Sequence, residues 1–131
     1  MNKRDLSVEE LGISRFRYRE LMYFCLQYEE MKERLAELTL VSAVRPGHGG
    51  RGGGRSDPAA RAALRLAELR GKLEAIEQAA LEAGGDLYAY LLAAVTTDAA
   101  YEQLKVPCGR RQFYAMRRRF FLSLDKTGHT I

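Results

Sequence analysis

Apolar side chains fall at Leu21, Phe24, Tyr28, Met31, Leu35 and Leu38, a 3-4-3-4-3 spacing that holds one helical seam over five intervals. The spacing predicts a long helix from Ser14 to about Leu40. Ser14 is a suitable N-cap, and Ile13 with Tyr18 has the separation of a hydrophobic staple. At 1.5 Å per residue such a helix is roughly 40 Å long. A second seam runs through Ala62, Leu66, Leu69, Leu73, Ile76, Ala80 and Ala83, announced by Ser56 and Pro58 and closed by Gly84-Gly85. Gly71 lies off that seam and weakens the helix by about 1 kcal/mol relative to Ala.

Between the two seams lies RPGHGGRGGGR, residues 45–55, which has almost no apolar side chain to bury and reads as a mobile linker. It contains a formal GxGxxG, but a dinucleotide site needs that pattern between a strand and a helix, and here it follows a heptad helix. Its arginines, Arg45, Arg51 and Arg55, leave non-specific attraction to nucleic acid open beside the linker reading. Two heptad helices joined by such a segment fold back as an antiparallel, coiled-coil-like hairpin. Two facing stripes make a thin core, so either self-association through the hairpin or packing of the later helices against one end is expected.

After Gly85, Asp86 can cap a short helix, Leu87 to about Val95, that is apolar nearly all round and therefore expected to be buried. Thr97 or Asp98 is expected to cap a helix containing Tyr101 and Leu104, which Pro107 stops. A final helix begins with Gly109 as N-cap and Gln112 at its third position. On a wheel of about 100° per residue, Phe113, Met116, Phe120 and Leu124 gather inward, Arg110 and Arg117 flank them, and Arg111, Tyr114, Ala115, Arg118, Arg119 and Leu122 lie opposite. Phe121 has two expected fates, packing on the hairpin or on a partner. The fold class is therefore all-α. Residues 1–13 form a leader, 14–83 the hairpin with its loop at 42–57, 84–126 a three-helix helix-turn-helix head, and 127–131 a tail.

Charge sharpens this picture. The 131 residues carry a net +4, yet residues 103–131 hold seven Lys or Arg against Asp125, a net +6, so the other 102 residues total −2. Between Gln103 and Leu124 there are six basic residues and no acidic one. That is the footprint of a surface that meets a polyanion. In a helix-turn-helix the start of the second helix reaches base edges in the major groove. Arg111, Gln112, Tyr114 and Arg118 are the base-reading candidates, since Arg can fork onto guanine and Gln onto adenine. Lys105, Arg110, Arg117 and Arg119 fit phosphate contacts. The bland alternative is a solvated outer helix face.

Other chemistry is not signalled. Cys25 and Cys108 lie far apart without CxxC spacing or a neighbouring His, and His48 and His129 lack a carboxylate or nucleophile partner. No metal, cofactor or catalytic constellation is expected. No apolar run reaches the length of a membrane span, and the first residues lack a signal-peptide core, so an intracellular protein is expected.

The order of a long helix containing YFCLQYEEMKERLAEL, a loop, a second long helix and YEQLKVPCGRRQFYAMRRRFF resembles phage-encoded transcriptional regulators of the RinA and ArpU type, whose C-terminal part is similar to the region-4 helix-turn-helix of bacterial sigma factors. The resemblance is specific from about Ala100 to Phe121. It implies a phage or prophage protein in the bacterial cytoplasm that binds promoter DNA and activates late genes, with double-stranded DNA as partner and host RNA polymerase as a further one. Arg110, Arg111, Gln112, Tyr114 and Arg118 would then occupy the recognition-helix face. Two rival readings remain: a small-terminase-like DNA-packaging protein that forms a ring, and a helical adaptor that ignores DNA.

Overall fold

The computed structural model describes residues 12–44 and 58–128, and all regular structure among them is helical. The elements are α1 (Arg15–Leu26), α2 (Tyr28–Val44), α3 (Pro58–Gly84), a 3-10 turn (Gly85–Leu87), α4 (Tyr88–Thr97), α5 (Tyr101–Leu104) and α6 (Arg110–Thr127). The glycine loop with Arg45, Arg51, Arg55 and His48, the Ser56 cap and His129 lie outside the described residues.

The first seam is carried by two helices instead of one. Ser14 caps α1 as expected, its hydroxyl accepting the Arg17 N–H at 3.1 Å. At Gln27 the ladder breaks: its backbone N–H turns to the Phe24 carbonyl at 3.2 Å, while its side-chain amide donates to the Tyr23 carbonyl at 3.3 Å. A side chain thus occupies the carbonyl that the helical N–H would have reached, a recognised cause of a helix break. The break lets the two pieces serve different neighbours. Helix α1 buries Tyr18, Leu21, Phe24 and Cys25 and packs against α4 and α6, whereas α2 packs its Tyr28 and Met31 side on α3. The Tyr28 hydroxyl, at the start of α2, donates to Glu77 of α3 at 2.5 Å.

Helix α3 is the spine, touching α2, α4 and α6. Its second half buries Leu69, Leu73, Ala75, Ile76, Ala79, Ala80 and Ala83, and small residues there let α6 approach closely. From Pro58 to Glu68 none of its residues is buried, so Ala62 and Leu66 are only half covered, as are Leu35 and Leu38 on α2. The helix ends where expected, with Gly85 at φ +56°, a conformation that glycine adopts freely.

Helix α4 departs from the expectation of all-round burial. Leu91, Ala94, Val95 and Thr96 are inside, but Tyr88, Ala89 and Tyr90 face out, since α4 covers the core on one side only. Asp98 does not open the next helix. It closes α4 in the left-handed region at φ 59°, and the N-cap of α5 is Ala100, whose N–H donates to the Gln103 side-chain oxygen at 2.9 Å. One cluster of buried residues draws on α1, α2, α3, α4, α6 and Val106, so the core continues across Gly84.

Candidate nucleic-acid interface

The basic helix is positioned by the turn before it. Helix α5 is a single turn closed by Lys105 at φ 53°, after which Val106 is buried and the chain bends at Pro107, where the Cys108 N–H donates to the Val106 carbonyl at 2.8 Å. The Tyr101 hydroxyl donates to the Cys108 carbonyl at 2.5 Å and pins the turn. Gly109 is the N-cap of α6, extended at φ −73° and without a side-chain bond to the helix. The first α6 hydrogen bond runs from Phe113 N–H to Gly109 O at 3.0 Å.

Phe113, Met116, Phe120, Phe121 and Leu124 are all buried. Removing each large apolar side chain from water contributes about 1.5–3 kcal/mol, which fixes the rotation of α6 about its axis. Phe121 packs within the molecule: its ring meets Tyr18 of α1 edge-on at 5.1 Å and Phe120 at 4.9 Å. With Phe121 inside, the buried arc widens to about 140° of the wheel and encloses position 117.

That enclosure removes Arg117 from the phosphate contacts expected of it. It is 2% exposed, its guanidinium donates to the Tyr18 hydroxyl at 3.2 Å, and its Cζ lies 5.3 Å from the Phe121 ring centre. Its Nε has no hydrogen-bond partner among the described residues. The neighbouring Cys25 thiol is pushed above its usual range by burial, with the Arg117 charge acting in the opposite sense.

The other candidates divide along the helix. In the first half, Arg110, Arg111, Gln112 and Arg118 are exposed, and Tyr114 is half-buried with its ring edge-on to Phe113 at 5.3 Å. Lys105 is exposed beside them in the preceding turn. Arg110 pairs with Glu102, and its Cζ lies 5.1 Å from the Tyr101 ring centre. The Glu102 carboxyl is held below its usual range chiefly by that hydrogen bond, and the Arg110 guanidinium is pushed up by the same bond.

The second half is braced on both sides. On one, Arg17 Nε donates to Asp125 at 2.5 Å, and a side chain at Gly12 would meet Leu122 at 3.4 Å. On the other, Ser123 donates to Glu82 at 2.8 Å, and Arg119 donates to the Ala83 carbonyl at 3.1 Å, a charge-favoured cap on the C-terminal end of α3. Arg119 keeps an exposed position but is tethered to α3. Sequence reasoning missed the Arg17–Asp125 and Arg110–Glu102 pairs, because each joins residues of different elements. Only the second carried a signal, as Glu102 is the acidic residue closest before the acid-free tract.

The described residues contain no cluster of His, Cys, Asp and Glu able to hold a metal ion, and no described helix is long and apolar enough to cross a membrane. No protein-family model matches the chain, and no curated protein or solved structure matches it.

Proposed function

We propose that this chain binds double-stranded DNA sequence-specifically, with α4, α5 and α6 acting as the helix-turn-helix head and the first half of α6 entering the major groove. The observation that carries this reading is the division of α6. Its second half is braced between α1 and α3, while its first half presents Arg111, Gln112 and Arg118 to solvent above an aromatic core. A groove-reading helix needs both properties, a rigid mount and a solvent-exposed N-terminal face of forked and amide donors. Lys105 and Arg119 flank that face and suit phosphates. Together with the resemblance of residues 100–121 to sigma region 4, this supports a phage or prophage transcriptional regulator, with host RNA polymerase as a second partner.

The test is a titration of duplexes, selected from a random library for binding to the purified chain, at several salt concentrations. Neutralising about two or three phosphates gives a log–log slope of about −2 to −3. Arg111→Ala should reduce discrimination between the selected site and its single-base variants by about 1–3 kcal/mol. Binding that is insensitive to salt, or discrimination that survives this substitution, would refute the placement of the reading face.

A further inference from the structure

The acid-free tract is entered past one carboxylate, Glu102, and that carboxylate is tied to Arg110, the first residue of α6. A negative group at the end of a helix that approaches phosphates lowers affinity for any DNA. An exposed ion pair alone adds little to stability. The pair is not alone, however. Tyr101 is fixed by its hydrogen bond to the Cys108 carbonyl and by its ring, which lies 5.3 Å from that of Phe113, and the Arg110 Cζ lies over that ring, 5.1 Å from its centre. The guanidinium therefore lies over the Tyr101 ring and is held through its Nη2 by Glu102. A guanidinium carries five N–H donors in a rigid fork, so engagement of Nη2 by a carboxylate leaves donors for a second bidentate partner.

We propose that Arg110, placed by its sequence position among the phosphate contacts, instead reads a guanine at the edge of the site, and that Glu102 is its positioning residue. This rests on the DNA reading above. The fork, oriented before DNA arrives, meets guanine O6 and N7 without first losing side-chain freedom. Glu102 gives up non-specific affinity and supplies selectivity at one base pair.

The experiment uses the full chain and duplexes selected from a random library, each compared with variants in which single guanines are replaced, together with an unrelated duplex. Glu102→Gln keeps size and removes the charge. It should lower discrimination at one guanine about tenfold, with binding to the unrelated duplex unchanged or tighter. Arg110→Lys, which keeps charge but not the fork, should abolish discrimination at that same base pair and leave the others intact. If Glu102→Gln tightens binding to all duplexes alike with discrimination unchanged, Arg110 is a phosphate contact and the proposal is overturned while the DNA reading stands. If the unmodified chain holds no duplex at low salt, both fall together.

Discussion

The Arg117 guanidinium donates to the Tyr18 hydroxyl at 3.2 Å inside the core, so one of the six basic residues of the terminal tract ties α6 to α1 instead of facing solvent. A buried charge whose Nε has no partner among the described residues is retained against its desolvation cost by that hydrogen bond and by the Phe121 ring.

Arg117→Met, which fills similar volume without charge, should leave unfolding free energy within about 1 kcal/mol of the parent or raise it, since apolar replacement of buried ions is often neutral or stabilising. Tyr18→Phe removes the hydroxyl while keeping the guanidinium buried, and should cost about 1–3 kcal/mol. Urea unfolding followed by circular dichroism measures both. The reverse order of the two effects would show that Arg117 is solvated in solution.

Lys105 occupies the left-handed region, where a side chain costs roughly 1 kcal/mol that glycine avoids. Lys105→Gly should therefore raise the melting temperature. If Lys105 meets a phosphate, the same change weakens binding to all duplexes and shortens the salt slope by about one unit. Stability and binding moving together would contradict this.

The two thiols should differ in reactivity. Cys108 is half-buried, while Cys25 is fully enclosed and its thiol is held protonated by burial. At about pH 8, near the ordinary thiol range, Ellman's reagent should titrate one thiol per native chain and two in denaturant. The folded-state pKa of Cys25 lies above its unfolded value, so its contribution is fully present below the unfolded pKa of about 8.5 and declines as pH rises beyond it. Burial and the hydrogen bond to Glu77 raise Tyr28 in the same sense, adding a loss above about pH 10. Melting temperature should fall through this alkaline range, and Cys25→Ala should flatten its first part.

Phe121→Ala should cost about 3–5 kcal/mol, as expected for a large side chain removed from a filled core. A surface residue waiting for a partner would cost almost nothing.

What was legible in the sequence followed from repeated local signals. The 3-4 spacings, the Ser14 cap and the Gly84-Gly85 stop gave the helices, and the phenylalanines gave the rotation of α6 to within one residue. That residue was Phe121, whose partner Tyr18 lies far away in sequence, so no periodicity could place it. With Phe121 unassigned, Arg117 read as a flank of the buried face. The break at Gln27 was likewise silent, because a side-chain amide can replace a backbone N–H without disturbing the apolar pattern. Asp98 was misplaced for a related reason: an acidic residue before a helix suggests a cap, but here it ends the preceding one in a left-handed turn.

The most direct test of the exposed reading face compares two kinds of arginine in one assay. Fluorescence anisotropy of a selected duplex at about 50 mM salt, where phosphate contacts are little screened, is measured for the parent chain, for Arg111→Ala with Arg118→Ala, and for Arg117→Met. The doubly substituted chain should bind at least about tenfold more weakly, while Arg117→Met should match the parent. A parent chain that holds no duplex, or equal losses from the buried and exposed arginines, would contradict it.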